Sequence, residues 1–189
     1  NFDKFMVLCK MSALQDNSHS QYIMGIFYED GIEGLEKYFQ TKIEADEKYY
    51  KMTNSKKAMK WHEKSANQGY KDAQYALGNM YFKGIDIDVD YEKALYWFKS
   101  SKTEFACFYV GYLYEKGLGV NQDYNNAIKW YEKSANLGDS NAAYNLGVMY
   151  KMGQGTEIDY NKAIEWYEKA AEKNNKNALC NLAMMDRYG

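Results

Sequence analysis

The sequence predicts an all-α solenoid of stacked two-helix repeats, on three observations. All four tryptophans, Trp61, Trp97, Trp130 and Trp166, recur at spacings of 36, 33 and 36 residues. They sit inside one phrase, of which Ala127-Ile128-Lys129-Trp130-Tyr131-Glu132-Lys133-Ser134-Ala135 is a full copy. A small-residue phrase alternates with it, as in Ala142-Ala143-Tyr144-Asn145-Leu146-Gly147-Val148-Met149-Tyr150-Lys151-Met152-Gly153. The 189 residues include no proline, which suits a nearly all-helical chain because proline removes a backbone donor. Self-similarity at a fixed period of this size marks modules that bury a shared core between neighbours.

Both phrases place apolar residues at i, i+3 and i+4, the helical period. The small-residue phrase is termed helix A and the tryptophan phrase helix B. In order, residues 3–14 align with a helix B that carries Leu8 in the tryptophan position. Repeat 1 covers residues 18–67, repeat 2 covers 71–102, repeat 3 covers 105–137 and repeat 4 covers 141–174. Residues 177–189 form a terminal helix A without its helix B. The single solenoid thus spans 1–189, with a half repeat at each end. Leu182, Met184 and Met185 have little to pack against on one side, whereas terminal repeats normally carry a polar outer face. Either the native chain is longer or this end meets a partner, and oligomerisation through the half repeats is one such meeting.

Glycine in a helix interior costs about 1 kcal/mol against alanine. Its recurrence at Gly25, Gly78, Gly111 and Gly147 predicts close approach between helices. Gly31, Gly84, Gly117 and Gly153 fit the left-handed position that ends helix A. Asp90, Asp123 and Asp159 precede helix B as N-caps. From the helix A glycine to the tryptophan is 19 residues in three repeats but 36 in the first, so 17 residues are inserted there. Three residues are missing between Trp97 and Gly111. The insertion, roughly 32–54, carries Leu35, Tyr38, Phe39, Ile43, Ala45, Tyr49 and Met52 as a helical stripe, with Glu36, Lys37, Glu44, Glu47 and Lys48 between them. It predicts an added amphipathic helix or an extension of its neighbours. Its apolar face either covers the first repeat or contacts a partner.

At these residues the chain resembles the Sel-one-like repeat (SLR) family, a relative of the tetratricopeptide (TPR) repeats. The connector Gly117-Leu118-Gly119-Val120-Asn121-Gln122-Asp123-Tyr124 matches the family pattern best, and the resemblance covers about residues 18–189. Asp86, Ala183 and Asp186 depart from it. The resemblance implies a right-handed α/α superhelix and a role in binding other proteins.

Net charge is −2, with lysine and glutamate interspersed and no basic block. Nucleic acid is therefore not an expected partner. No run of 18 apolar residues offers a membrane span. Cysteine-rich relatives look as though each repeat carries a bonded pair. Here Cys9, Cys107 and Cys180 form no such pair, and buried free thiols are expected. A reducing, cytoplasmic location is favoured. The chain begins at Asn1, and a removed leader would make it periplasmic or secreted.

Counting from the helix A glycine at 100° per residue, positions −5, −1, 0 and +3 form the core face. Positions −3, −2 and +1 fall opposite, and in related helical repeats that side lines a groove. They hold Tyr22, Ile23 and Ile26; Tyr75, Ala76 and Asn79; Phe108, Tyr109 and Tyr112; Tyr144, Asn145 and Val148. Tyrosine suits interface anchors because it brings large area at low entropy cost. The family pattern itself places an aromatic at −3, so Tyr75, Phe108 and Tyr144 are expected to pack against the neighbouring repeat. Tyr109, Tyr112, Asn79, Asn145 and Val148 remain candidates to touch another protein or a peptide. Trp130→Ala is expected to cost roughly 3–5 kcal/mol as a core deletion.

No motif carries catalysis. There is no His-Glu-x-x-His, Cys-x-x-Cys or nucleophile elbow, and His62 is expected on a helix surface. Gly117-Leu118-Gly119 and Gly153-Gln154-Gly155 follow helices rather than strands, unlike phosphate cradles. No cofactor or metal is expected. The reading is a non-catalytic adaptor or scaffold binding a partner on the concave helix A face. The alternative is an immunity-type inhibitor that blocks a cognate toxin. Below both stand glycan or peptidoglycan recognition and a β-lactamase-like hydrolase.

Overall fold

Each helix begins and ends where local chemistry dictates. A computed structural model describes residues 2–45, 49, 52–84 and 87–188, which leaves Glu47, Lys48 and Asp86 outside the described residues. Among the described residues there are ten α-helices and no strand. Lys93, Asn126 and Lys162 donate their backbone N–H groups to the side chains of Asp90, Asp123 and Asp159 at 2.9, 2.9 and 3.0 Å. These are the predicted caps. Gly84, Gly117 and Gly153 end three A helices at φ of 68°, 68° and 67°, where a side chain would be strained.

The chain divides into two compact units, Asn1–Ser101 and Lys102–Gly189. The first holds α1 (Phe2–Leu14), α2 (Ser18–Phe39), α3 (Ser55–Asn67), α4 (Lys71–Lys83) and α5 (Tyr91–Ser101). The second holds α6 (Glu104–Lys116), α7 (Tyr124–Asn136), α8 (Ser140–Met152), α9 (Tyr160–Glu172) and α10 (Lys176–Tyr188). Within each unit consecutive helices pack on one another as stacked helix–turn–helix modules. Buried hydroxyls tie the modules: Ser65 donates to the Ser18 carbonyl and Ser134 to the Glu104 carbonyl, both at 2.7 Å.

Gly31 is not a terminator. Its φ of 67° is paired with ψ of −148°, and the chain turns sharply there and resumes helix to Phe39. The first part of the insertion therefore extends helix A across a kink. Ile32 and Leu35 are fully buried with Phe2, Cys9 and Phe27, and Tyr38, Ile43, Ala45 and Tyr49 pack around them. The apolar stripe covers the first module. The insertion also leaves the repeat's closure intact. In later repeats the N-cap aspartate donates its backbone N–H to a helix A tyrosine carbonyl nine residues earlier, Asp90 to Tyr81, Asp123 to Tyr114 and Asp159 to Tyr150. Asn54 makes the same bond to Tyr28 at 2.6 Å and caps α3 through its side chain.

The tryptophans are half-buried rather than central. Trp61 packs on the α1–α2 cluster, Trp97 on the α3–α4 cluster and Trp166 on the α7–α8 cluster. Each joins its module to the one before. The next residue fills the module's own centre: His62, Phe98, Tyr131 and Tyr167 are each 0% exposed. His62 is therefore a core residue, contrary to the surface position expected of a histidine. The same slot in α1 is Cys9, which is buried while Leu8 is 55% exposed. Cys107 is buried too, but Cys180 is exposed, which corrects the expectation of three buried thiols.

Candidate partner-binding groove

The recurring glycines exist for these buried rings. A Cβ on Gly78, Gly111 or Gly147 would stand 2.5, 2.7 and 2.5 Å from the rings of Phe98, Tyr131 and Tyr167, and one on Gly25 would overlap His62. Real atoms do not approach so closely, so any larger residue forces the two helices apart.

The residue four positions after the glycine answers the chemistry of the ring. His62 Nε2 lies 3.0 Å from Glu29 Oε2, which assigns the ring N–H to that nitrogen because a carboxylate accepts. Phe98 meets Phe82 edge-on at 6.4 Å. The Tyr131 hydroxyl donates to Glu115 Oε2 at 2.7 Å, with Asn145 as a second partner. Burial, then the Glu115 charge, push that hydroxyl far above its ordinary pKa. In the fourth repeat the corresponding residue is Lys151, and the buried Tyr167 hydroxyl has no hydrogen-bond partner among the described residues.

The aromatics at position −3 lie on the ring of their own module, and Phe108 and Tyr144 also pack, as expected, on clusters that include the next helix A, α8 and α10. Centroid distances are 5.5 Å for Tyr22–His62, 5.9 Å for Tyr75–Phe98, 5.6 Å for Phe108–Tyr131 and 5.8 Å for Tyr144–Tyr167.

In the first unit most of positions −3, −2 and +1 converge, but Ile23, at −2 on α2, is buried in the α1–α2 core instead. Tyr22 and Ile26 of α2 and Tyr75, Ala76 and Asn79 of α4 line one pocket of about 520 Å³. Glu29, Asp30, His62 and the insertion residue Tyr38 share it, with Lys37 and Lys83. Asn79 Oδ1 is buried there without a hydrogen-bond partner among the described residues. Position +4 and the insertion were not read from the sequence as groove elements. The acidic pair Glu29-Asp30 just before Gly31 was the available signal.

In the second unit the candidates lie on α6 and α8 and are half-buried. Tyr109 stands edge-on to Phe108 at 5.6 Å. Tyr112 packs against the α7–α8 cluster, and the Lys116 ammonium lies 5.8 Å over its ring. Val148 packs partly on the α9–α10 cluster. Asn145 is engaged with Tyr131, so part of its recognition capacity is spent within the fold.

Among the described residues no group of three or more His, Cys, Asp or Glu side chains is placed to hold a metal ion. No described helix is long and apolar enough to cross a membrane.

The Sel1 repeat family model matches residues 18–38, 50–70, 71–102, 105–139 and 140–175. A Sel1 repeat protein from Oxalobacter formigenes is 30% identical, with a TM-score of 0.74 and a match over 89% of this chain and 64% of that one. A protective antigen present in uropathogenic Escherichia coli strains, which displays an SLR fold, is 29% identical with a TM-score of 0.79. That match covers 95% of this chain and 36% of the antigen. The chain thus spans less than two thirds of the length of either relative. Cysteine rich protein B of Helicobacter pylori shares the fold, at 22% identity and a TM-score of 0.54 over 67% of this chain and 93% of that one. No curated protein matches the chain. Sel1 repeats generally serve as protein-interaction modules rather than as catalysts. With matching segments distributed from residue 18 to residue 175, this chain belongs to the Sel1 repeat family.

Proposed function

We propose that the chain is a non-catalytic adaptor or scaffold that docks a partner polypeptide on the outward-turned positions of its A helices. The observation that supports this reading is the pocket of about 520 Å³ in the first unit, which draws on positions −3 and +1 of two successive A helices and on −2 of the second. Aromatic walls with a few convergent polar groups are what a recognition site needs. In the second unit the corresponding surface is Tyr109, Tyr112, Asn145 and Val148, beside Phe108 and Tyr144. The core stands behind these residues, so a partner meets a rigid face and little entropy is lost on docking.

The test is affinity capture from the native host with three baits: the unaltered chain, Ala76→Arg, and Tyr109→Ala with Tyr112→Ala. Ala76→Arg fills the first pocket without deleting a contact. A partner identified by mass spectrometry with the unaltered bait should be lost with at least one variant. Equal recovery on all three folded baits would place binding elsewhere and overturn the reading.

A further inference from the structure

The chemistry of the pocket between α2 and α4 points to the kind of side chain it receives. Its polar lining sets the Glu29 and Asp30 carboxylates and the buried Asn79 Oδ1, which has no hydrogen-bond partner among the described residues, beside His62 and the Lys37 and Lys83 ammonium groups. Its aromatic wall is formed by Tyr22, Tyr38 and Tyr75. Elsewhere in this unit lysines cover tyrosine rings, Lys57 over Tyr28 and Lys93 over Tyr81, each at 5.2 Å. No lysine lies over Tyr22 or Tyr38 among the described residues. Those two rings meet edge-on at 5.6 Å. Desolvation, then the neighbouring Glu29 charge, hold the Asp30 carboxyl above its ordinary pKa even though Lys37 and Lys83 act against the shift. His62 Nε2 already holds Glu29 at 3.0 Å, whereas Asp30 makes no ion pair among the described residues. Lys37 and Lys83 are exposed, so both ammonium groups can swing into water when a cation enters. An anion would instead face two carboxylates.

We propose that this pocket receives an arginine side chain presented by a partner polypeptide. The proposal rests on the reading that the A-helix surface is the docking face. A guanidinium supplies five donors in a plane, enough for Asn79 Oδ1 and both carboxylates, and its flat face stacks on tyrosine. Lysine would offer a compact, strongly hydrated charge that matches fewer of these groups at once.

The experiment is NMR titration of the full ¹⁵N-labelled chain with acetyl-Gly-Arg-Gly-amide. The same peptide with citrulline or glutamate in place of arginine provides the comparison. The arginine peptide should give saturable shifts confined to the amides of α2, α4 and the middle of α3 around His62. Citrulline keeps the shape and hydrogen bonds but removes the charge, and it should bind about tenfold more weakly, the scale of one charge-assisted hydrogen bond. Asp30→Asn, an exposed substitution whose fold is checked by circular dichroism, should weaken the arginine peptide by a similar factor. Equal binding of arginine and citrulline would overturn the proposal, as would preference for the glutamate peptide or no shift in α2 and α4 with any peptide. Preference for glutamate would leave the docking face standing. Loss of the captured partner with Ala76→Arg but not with Asp30→Asn would likewise keep the docking face and remove the arginine.

Discussion

Tyr131 and Tyr167 occupy the same slot in successive repeats, yet removing their hydroxyls should change stability in opposite directions. Both rings are 0% exposed and both lie over a helix A glycine. Tyr131 donates to Glu115 at 2.7 Å, whereas the Tyr167 hydroxyl is buried without a partner among the described residues. A hydrogen bond to a charged group contributes about 1.5–3 kcal/mol. Glu115 is only half-buried, so Tyr131→Phe should destabilise by the lower part of that range. Burying a hydroxyl without a partner costs about 1–3 kcal/mol on mutational scales, so Tyr167→Phe should stabilise by about 1 kcal/mol. The two variants should therefore differ by about 2–3 kcal/mol. Urea unfolding followed by far-ultraviolet circular dichroism measures the difference, read as midpoint shifts at constant slope. Shifts of the same sign, or values within about 0.5 kcal/mol of each other, would refute the argument that the residue four positions after the glycine decides whether the ring hydroxyl is satisfied.

Gly78→Ala should destabilise by about 1–2 kcal/mol in the same assay, because overpacking against Phe98 exceeds the gain in helix propensity. Trp166→Ala should cost roughly 2 kcal/mol rather than the 3–5 of a core deletion, since its indole is half-buried between modules; a loss as large as that of Tyr167→Ala would contradict the assignment of the two slots. Alkaline titration should show stability falling as pH rises from about 10 to about 12, because burial pushes Tyr167 up to about 12. The unfolded chain releases that proton near the ordinary tyrosine value of about 10, so Tyr167→Phe should make this part of the profile less steep, with the other raised tyrosines still contributing, and leave the acid limb unchanged.

The repeat period, the glycine contacts and the aspartate caps were legible because each depends on neighbours within one helix or one turn. Asn54 could have been found by the same rule, as an Asn immediately before the helix of repeat 1, had the insertion not hidden its equivalence to the aspartates. His62 was misread because a histidine resembles a surface residue until its partner Glu29, 33 positions away, is known. The contact of each position −3 aromatic with the buried ring of its own module was missed for a similar reason. Their distance along the chain to either neighbouring ring is compatible with contact.

Two adjacent aromatics on a helix lie 100° apart, so the residue order Trp130-Tyr131 contains no statement of which ring occupies the centre. Composition and periodicity were enough to establish stacked two-helix modules, their boundaries in register and the face left over for binding. Only the packed helices could show that the glycine admits the second ring of each pair, that the tryptophan bridges modules, and that the A-helix surface of the first unit closes into an aromatic pocket with a few charged groups. Local patterns reflect backbone geometry within a few residues, whereas a pocket depends on distances between side chains from α2, α3 and α4 that sequence separation does not encode.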